Sequence, residues 1–445
     1  MLPVVTPEEM RQIDDAAHES EEVLIERAGY AIAAEALRMM GGGYGRRVTI
    51  IAGKGNNGND GRAAARYLRR RGIRCNIQAP DSPTLPKSNL VIDAAFGTGF
   101  RDSWRPPSQP QCRVLAVDIP SGIDGLTGHD TGSLQADTTV TFGALKPGLL
   151  LQPGASRSGE IKIVDLGLDI GTSKNNLITD DDAAKVIATR SATAHKWTNA
   201  VRVVAGSPQM TGAAQLVTHG ALRAGSGMVV ASSPNTDLSL VPMPQEAVTR
   251  QHSEHSWHEE VLEDLHKFAA LVIGPGLETD QETMTATAEL ISRAPLPVVI
   301  DAGALTAVAT HPRCLSSRSH TTVLTPHDGE FETLTGMRPA VDRMSSLRRA
   351  IQDCTVLLKG PTTLVSNPLG SLFFVSSGDQ RLATAGSGDV LAGIIGALIE
   401  HPEEHLAAAV GAHWHGHASL LAEPNMTAGD LPDLLAPARS VILQK

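Results

Sequence analysis

Short apolar runs that end in glycine or in an acidic turn, each followed by an amphipathic stretch, recur along the chain. That is the rhythm of β-strands alternating with α-helices. The chain opens on helical pattern instead. Thr6-Pro7-Glu8-Glu9 offers an N-cap, a proline for the first helical position and the acid of a capping box. A second helix is predicted over 23–40 and is stopped by Gly41, Gly42 and Gly43. The run at 48–52 then enters GKGNNGNDG (53–61) and an alanine-rich helix: strand, glycine-rich turn, helix. Runs at 90–92 and 114–117 each meet an acidic residue and a turn, DAAFGTG (93–99) and DIPSGID (118–124), and further runs follow at 138–142 and 161–164. Ligands of open parallel sheets lie beyond the carboxyl ends of the strands, so these three turns are expected to converge.

Between 167 and 194 the periodicity fades, which places a linker at 169–176 between domains at 1–170 and 177–445. The rhythm then resumes. A run at 201–205 leads into GSPQMTG, followed by LVIGPGL (271–277), PVVIDAGAL (297–305), TVLTPHDGEFETL (322–334), TVLLKGPTT (355–363) and RLATAGSGDVLAGIIGAL (381–398). No repeat of solenoid period is present. The expectation is an α/β protein of two three-layer αβα domains, which suits 445 residues.

Composition narrows the class. The chain is 41% hydrophobic and 19% charged, and aromatics at 3% argue against an aromatic-rich β-sandwich. A net charge of −10 weighs against nonspecific binding to nucleic acid or to anionic membranes. It leaves phosphorylated ligands open, because backbone N–H groups hold phosphate without net basic charge. The acidic N-terminus has no signal-peptide core, and no stretch approaches the ~20 apolar residues of a membrane span. A cytoplasmic protein without nucleic-acid or membrane partners is expected. Cys75, Cys112, Cys314 and Cys354 show no CxxC spacing and are expected as reduced thiols.

The strongest local chemistry is AGSGDVLAG (385–393). Gly386 and Gly388 allow close approach of a phosphate, and the helix that follows would aim free N–H groups at it. A carboxylate at Asp389 would repel that phosphate, so its sensible work is to accept a proton from an attacking hydroxyl. Ser, Gly and Asp also favour plain helix caps, which is the other reading. GxxxxGK[ST] is absent.

Together with the glycine-terminated strands, this motif resembles the anion hole and catalytic Asp of the ribokinase-like superfamily. TPHDGE (325–330) stands where that superfamily carries a polar motif ending in a metal-linked Glu, and KGPTT (359–363) stands at a strand end. The order HKW (195–197), VVAGS (203–207), GAAQL (212–216), GPGL, DAGAL, TPHDGE, KG and GSGDVLAG resembles the NAD(P)H-hydrate dehydratases over most of 190–445. The resemblance implies a ribokinase-like domain and a Mg2+-dependent reaction. ADP would phosphorylate the ring hydroxyl of the hydrated nicotinamide, and loss of phosphate would restore NAD(P)H and leave AMP. It further implies that Asp389 activates the hydroxyl and Gly388 binds the nucleotide phosphate. Lys359, Gly360, Pro361, Thr362 and Thr363 would bind the AMP portion, and Ala213, Gly276 and His327 would line the hydrate pocket. The chain departs from the family at Glu278 and Gly303, where Gly and Asp are usual, and at Asp328, where Pro is usual.

The first half resembles the NAD(P)H-hydrate epimerases, of Rossmann-like fold, over 1–170. GNNGNDG, DAAFGTG and DIPSG match their three ligand loops. The resemblance implies a K+ ion held by Asn57, Asp93 and Ser121. The hydrate would be held by Asn56, Asn57, Gly58, Asn59 and Asp60, by Gly97, Thr98, Gly99, Phe100, Arg101, Asp102 and Ser103, and by Asp118. Asp118 is the candidate acid/base for losing water and adding it back on the other face of the ring. Asn59 departs from the usual Gly; were positive φ needed there, Asn is the least costly substitute. Small-molecule substrates, the hydrates of NADH and NADPH, and a homo-oligomer are expected. The competing reading is a ribokinase-like kinase of a vitamin-precursor alcohol with a non-catalytic, nucleotide-binding first half; Asn57, Asp93, Asp118 and Ser121 weigh against it.

Other groups are assigned bland roles. Of His413, His415 and His417, only the first and last share a helix face, with no carboxylate or Cys nearby in sequence, so packing or pocket lining is expected. His252, His255 and His258 read as a solvated loop or a helix start, and Asp180, Asp181 and Asp182 as a helix cap. Lys146 reads equally as functional or as an exposed strand-end lysine. Asp301, at a strand end, reads as support behind the pocket and receives no definite role.

Overall fold

The computed structural model describes residues 1–171, 173–187, 192–253, 255–316, 318–350 and 353–444. Part of the expected linker, residue 172, and residues 188–191 lie outside that set. The chain divides into two compact units, Leu2–Asn176 and Leu177–Lys445 with Met1.

In the first unit, α1 (Pro7–Asp15) begins with the capping box that the sequence spells: Glu9 N–H donates to Thr6 Oγ1 at 3.2 Å and Thr6 N–H to Glu9 Oε2 at 2.7 Å. Helix α2 (Glu21–Met40) stops at Gly41, whose φ of 66° is the left-handed cap that glycine adopts without steric cost. The sheet has six strands, β1 (Arg47–Ala52), β2 (Arg74–Gln78), β3 (Leu90–Ala94), β4 (Arg113–Val117), β5 (Thr138–Phe142) and β6 (Glu160–Val164). Their order is β2-β1-β3-β4-β5-β6, and all pairs are parallel. The order reverses between β1 and β3, the switch point where such sheets bind ligands. Strands β1, β3 and β4 are rich in Val, Ile, Leu and Ala because both faces are covered. Helices α2 and α3 (Asn56–Arg70) cross closely on one face; a Cβ at Gly29 would stand 2.3 Å from Ala63 Cβ. Each buried Ile or Leu there, such as Ile32, Ile50 and Leu68, contributes roughly 1.5–3 kcal/mol.

The second unit opens with α4 (Asp180–Val186). Of the three acids expected to cap it, Asp182 does so, accepting from Thr179 N–H at 3.0 Å and Thr179 Oγ1 at 2.6 Å. Asp180 points elsewhere, as described below. The sheet contains β7 (Ala200–Val204), β8 (Met228–Ser232), β9 (Val248–Thr249), β10 (Ala270–Ile273), β11 (Val298–Ile300), β12 (Thr322–Leu324), β13 (Thr355–Leu358), β14 (Thr363–Ser366) and β15 (Leu372–Val375). These run in the order β15-β14-β13-β12-β11-β10-β7-β8-β9. The ladder is parallel from β9 to β13 and antiparallel at β13-β14 and β14-β15. Helices α5 (Thr211–Arg223), α6 (Gly303–Thr310), α7 (Asp328–Thr335), α8 (Ser387–Leu398) and α9 (Glu404–Leu420) complete the scaffold used below. Helix α8 is buried from Val390 to Ala397 and crosses α5 at two glycines. A Cβ at Gly220 would lie 2.6 Å from the Val390 carbonyl oxygen, and one at Gly393 would lie 2.2 Å from that of Val217. Among the described residues no helix is long and apolar enough to cross a membrane.

Candidate functional sites

The three expected turns of the first unit follow β1, β3 and β4, which are neighbours in the sheet. Asp93 ends up fully buried. Its Oδ2 accepts from Ser121 N–H at 2.9 Å, and its Oδ1 accepts from Ser121 Oγ at 2.6 Å and from Ala95 N–H at 3.3 Å. Ser121 Oγ in turn accepts from Phe96 N–H at 2.8 Å, while Asn57 Nδ2 donates to the Phe96 carbonyl at 2.9 Å. Asn57, Asp93 and Ser121 are thus gathered around Phe96. Burial pushes the Asp93 carboxyl above the usual carboxylate range, against hydrogen bonds from Ser121 and Ala95. Oxygen donors around a desolvated carboxylate fit a hard monovalent cation, whose charge would offset that burial.

Asn56, Asn57, Gly58, Asn59 and Asp60 form the first turn of α3, because Gly55 is extended and serves as its N-cap. Helical backbone at Asn59 removes the supposed need for positive φ; its Oδ1 accepts from Arg62 at 3.3 Å. Gly58 has no room for a side chain, since a Cβ would lie 2.0 Å from the Gly53 carbonyl oxygen. Gly97 adjoins Asn57, with its Cβ position 3.7 Å from Asn57 Cβ. Thr98 packs near Gly125, and the Phe100 ring stacks on Phe96 at 4.0 Å. Gly99, Arg101, Asp102 and Ser103 are exposed at the rim, and Arg101 donates to the carbonyls of Thr98 and Phe100.

Asp118 sits at φ 64°, a strained conformation for a non-glycine residue and of the kind found at functional sites. Its Oδ1 is 2.5 Å from Lys146 Nζ and accepts from Thr141 Oγ1 at 3.1 Å. Lys146 is 1% exposed and also donates to Thr141 Oγ1 and the Phe142 carbonyl, at 3.0 and 2.9 Å. The exposed-lysine reading is therefore corrected. Asp60 faces the same group: burial, then the charges of Asp118, Asp14 and Glu21, push its carboxyl up to about 8. A protonated carboxyl and an ion-paired carboxylate stand together, the pairing that acid/base chemistry uses.

In the second unit Asp389 lies in the first turn of α8, after Gly386 at φ 90°. A Cβ at Gly388 would be 3.4 Å from Lys359 Nζ and 3.9 Å from Asp301 Oδ2. Lys359 Nζ donates to Asp301 Oδ1 at 2.9 Å and lies 3.6 Å from Glu330 Oε2. Asp301 is 2% exposed and accepts from Thr325 Oγ1 at 2.8 Å. Burial and then the Asp301 charge push the Asp389 carboxyl up to about 7, with Lys359 opposing. Burial alone would lower the Lys359 ammonium; Asp301 and Glu330 outweigh it and raise it. Asp301, left without a definite role by the sequence, is the anchor of this group. The one signal was its place at a strand end before Ala302, whose φ is 46°.

Lys359, Gly360, Pro361 and Thr362 form the turn between β13 and β14, and Thr363 opens β14. His327 caps α7, its Nδ1 accepting from Gly329 and Glu330 N–H at 3.0 and 3.2 Å while the ring stays exposed. Ala213 and Gly276 adjoin, with the Cβ position of Gly276 2.7 Å from Ala213 Cβ. The departures have local accounts. Asp328 pairs with Arg343 at 2.8 Å, Glu278 accepts from Asn235 at 3.0 Å, and a Cβ at Gly303 would lie 2.7 Å from the Leu277 carbonyl oxygen.

Residues 201–439 match the family model of NAD(P)H-hydrate dehydratase, and residues 21–84 and 74–148 match that of the YjeF-related protein N-terminus. A bifunctional NAD(P)H-hydrate repair enzyme from Moorella thermoacetica is 33% identical over 97% of this chain and 96% of its own length. The chain belongs to the bifunctional NAD(P)H-hydrate repair enzymes. As a repair enzyme it joins an NAD(P)H-hydrate epimerase half to a dehydratase half, which decides against the vitamin-precursor kinase. The ADP/ATP-dependent NAD(P)H-hydrate dehydratase from Bacillus subtilis, co-crystallised with ATP and Mg2+, is 28% identical. It covers 60% of this chain and 98% of its own, with a TM-score of 0.50. A ribokinase-like superfamily protein from Enterococcus faecalis, 21% identical with a TM-score of 0.50 over 61% of this chain and 98% of its own, shares the C-terminal fold.

Proposed function

We propose that the C-terminal site dehydrates the S form of NADH and NADPH hydrates at the expense of ADP, and that the N-terminal site interconverts the R and S forms. The observation that carries the dehydratase reading is the gathering of Lys359 and Asp301 at Gly388, the residue before Asp389 at the start of α8. Asp389 takes the proton of the ring hydroxyl as that oxygen attacks the terminal phosphorus of ADP. The bond from that phosphorus to the bridging oxygen breaks, and AMP leaves. The phosphate ester on the ring then departs, pushed out by the ring-nitrogen lone pair, and loss of a proton from the adjacent ring carbon of the resulting iminium restores NAD(P)H. Lys359 and the first-turn N–H groups of α8 hold the phosphates, and Gly360 to Thr363 hold the AMP portion. Glu330 and Asp301 offer the carboxylate oxygens that suit Mg2+, which when bound would neutralise phosphate charge.

In the N-terminal site Asp118 and Asp60 exchange protons with the water that leaves one face of the ring and returns on the other. Asn57, Asp93 and Ser121 would hold K+, whose charge would offset the buried Asp93 carboxylate. The remaining loop residues, Gly97 to Ser103 and Asn56 to Asn59, hold the nucleotide.

The test is recovery of the dihydronicotinamide absorbance from a mixed-epimer NADH hydrate, with Mg2+, K+ and either ADP or ATP, alongside Asp389→Asn. Near-complete recovery with ADP, lost in the variant, supports both activities. Recovery that stops when one epimer is consumed sinks the epimerase reading, and no recovery with either nucleotide sinks the dehydratase reading.

A further inference from the structure

The histidines of α9 do something that their sequence spacing does not reveal. His413 and His417 are one helical turn apart and share a face, and that face meets the first residue of α4. Nε2 of His413 lies 2.8 Å from Asp180 Oδ1, and Nε2 of His417 lies 3.0 Å from the same oxygen. The rings are 4.6 Å apart and tilted by 57°, so both point their Nε2 edges at one place. All three ligand atoms fall within 4.8 Å of one another. The sequence places no carboxylate near these histidines; the fold brings one from 233 residues away.

We propose that Asp180, His413 and His417 form a binding site for one divalent transition-metal ion of the zinc class, outside the nucleotide and hydrate sites. Two imidazole nitrogens and one carboxylate oxygen are the donor set that Zn2+, Co2+ and Ni2+ take; Mg2+ and K+ favour all-oxygen sets. The spacing fits. Ligands about 2.0–2.2 Å from a common ion stand roughly 3–3.5 Å from one another, close to the two separations seen. The shell is held by packing. His413 is 6% exposed, and its Nδ1 has no hydrogen-bond partner, so Nε2 is the atom that anchors the ring. His417 and Asp180 are 16% and 14% exposed, which leaves a path for an ion and a place for water to complete its coordination. Asp181, exposed next to Asp180 in the chain, adds negative charge that favours cation entry, whereas Asp182 is buried and paired with the N-terminal ammonium of Met1. The ion would clamp α4 to α9. His415, between the two on α9, points the other way; it is buried and hydrogen-bonds the backbone of Ser387 at the start of α8.

A second group, His258, Glu259 and Glu289, has ligand spacing as well, but it is surface-exposed at both glutamates and Glu259 is already engaged by Arg293. It serves as the control. Full-length protein is stripped with a chelator and titrated with Co2+, followed by visible d–d absorption, with Zn2+ as competitor. The expected result is one Zn2+-displaceable equivalent, whose affinity falls by on the order of a hundredfold or more in His417→Gln. Glu289→Gln should bind as the parent does. Circular dichroism confirms that the variants are folded, and since His417 is partly exposed, its amide replacement keeps a hydrogen bond to Asp180 while losing the imidazole ligand. Added Zn2+ should raise the Tm of the parent and not of His417→Gln. No Co2+ spectrum in the parent, or binding unchanged in His417→Gln, overturns the proposal and leaves a hydrogen-bonded cluster only.

Discussion

Lys146 Nζ lies 2.5 Å from Asp118 Oδ1, joining residues that follow two adjacent parallel strands, β4 and β5. Because Lys146 is almost wholly buried, its charge has no solvent to fall back on, and the pair stands or falls together.

Lys146→Met should therefore slow epimerisation by about 10²–10⁴-fold, the range expected when an acid/base group loses its setting. It should also cost roughly 2–4 kcal/mol of stability, since one partner of a buried pair is left alone. Exchange between purified epimers without nucleotide, read by chromatography, measures the first, and urea unfolding the second. Dehydration of the pure S form should be untouched. An epimerisation rate equal to the parent's would remove Lys146 and its ion pair from the mechanism.

At the other site, Asp389→Asn should lower the dehydration rate by about 10²–10⁴-fold with ADP binding retained. The pH dependence follows from the same carboxyl. Burial and Asp301 push it up to about 7, so below that it holds a proton and cannot accept the one on the ring hydroxyl. Dehydration with saturating S hydrate should rise as pH passes through about 7. A profile flat from weakly acidic to weakly alkaline solution would take the proton-accepting role away from Asp389.

How much of this was written in the chain follows from how local each signal is. The α1 capping box and strand β5 were read residue for residue, since both depend on near neighbours. Strand β2 went unread because it is an edge strand, where Arg74, Asn76 and Ile77 are exposed and the apolar run disappears. The β14-β15 hairpin was missed because a parallel strand-helix rhythm leads one to expect a helix after β13. In the sites, Asn57, Asp93 and Ser121 converge as the open-sheet rule demands. What could not be read is contact across sequence. Asp301 meeting Lys359, Asp118 meeting Lys146 and Asp180 meeting His413 and His417 all depend on the order of strands and helices.

Asp60 gives a stability test whose sign can be worked out. Its folded carboxyl lies near 8, well above the usual 3.8, so between those values the folded protein holds a proton that the unfolded chain has released. Stability should therefore fall as pH rises from about 4 to 8. Asp60→Asn cannot lose that proton. Relative to the parent it should gain stability progressively over this window, by about 4 kcal/mol near neutrality. Urea midpoints for both proteins at several pH values check it; parallel curves would mean that Asp60 ionises normally in the fold.

Two glycines of one loop should fail in different ways. Gly386 has a φ of 90°, and a Cβ there would lie 2.4 Å from Leu216 Cδ1, so Gly386→Ala meets both backbone strain and a clash. It should cost about 1–3 kcal/mol. Gly388 lies in the first helical turn without positive φ, and its Cβ would sit 3.4 Å from Lys359 Nζ, an ordinary contact. Gly388→Ala should keep its Tm while weakening ADP binding by roughly tenfold or more, because the added methyl stands where phosphate must approach the N–H groups. Thermal unfolding and calorimetric titration with ADP separate the two. If Gly388→Ala binds ADP as the parent does, the phosphates do not enter between Lys359 and the start of α8, and the nucleotide lies elsewhere in the C-terminal unit.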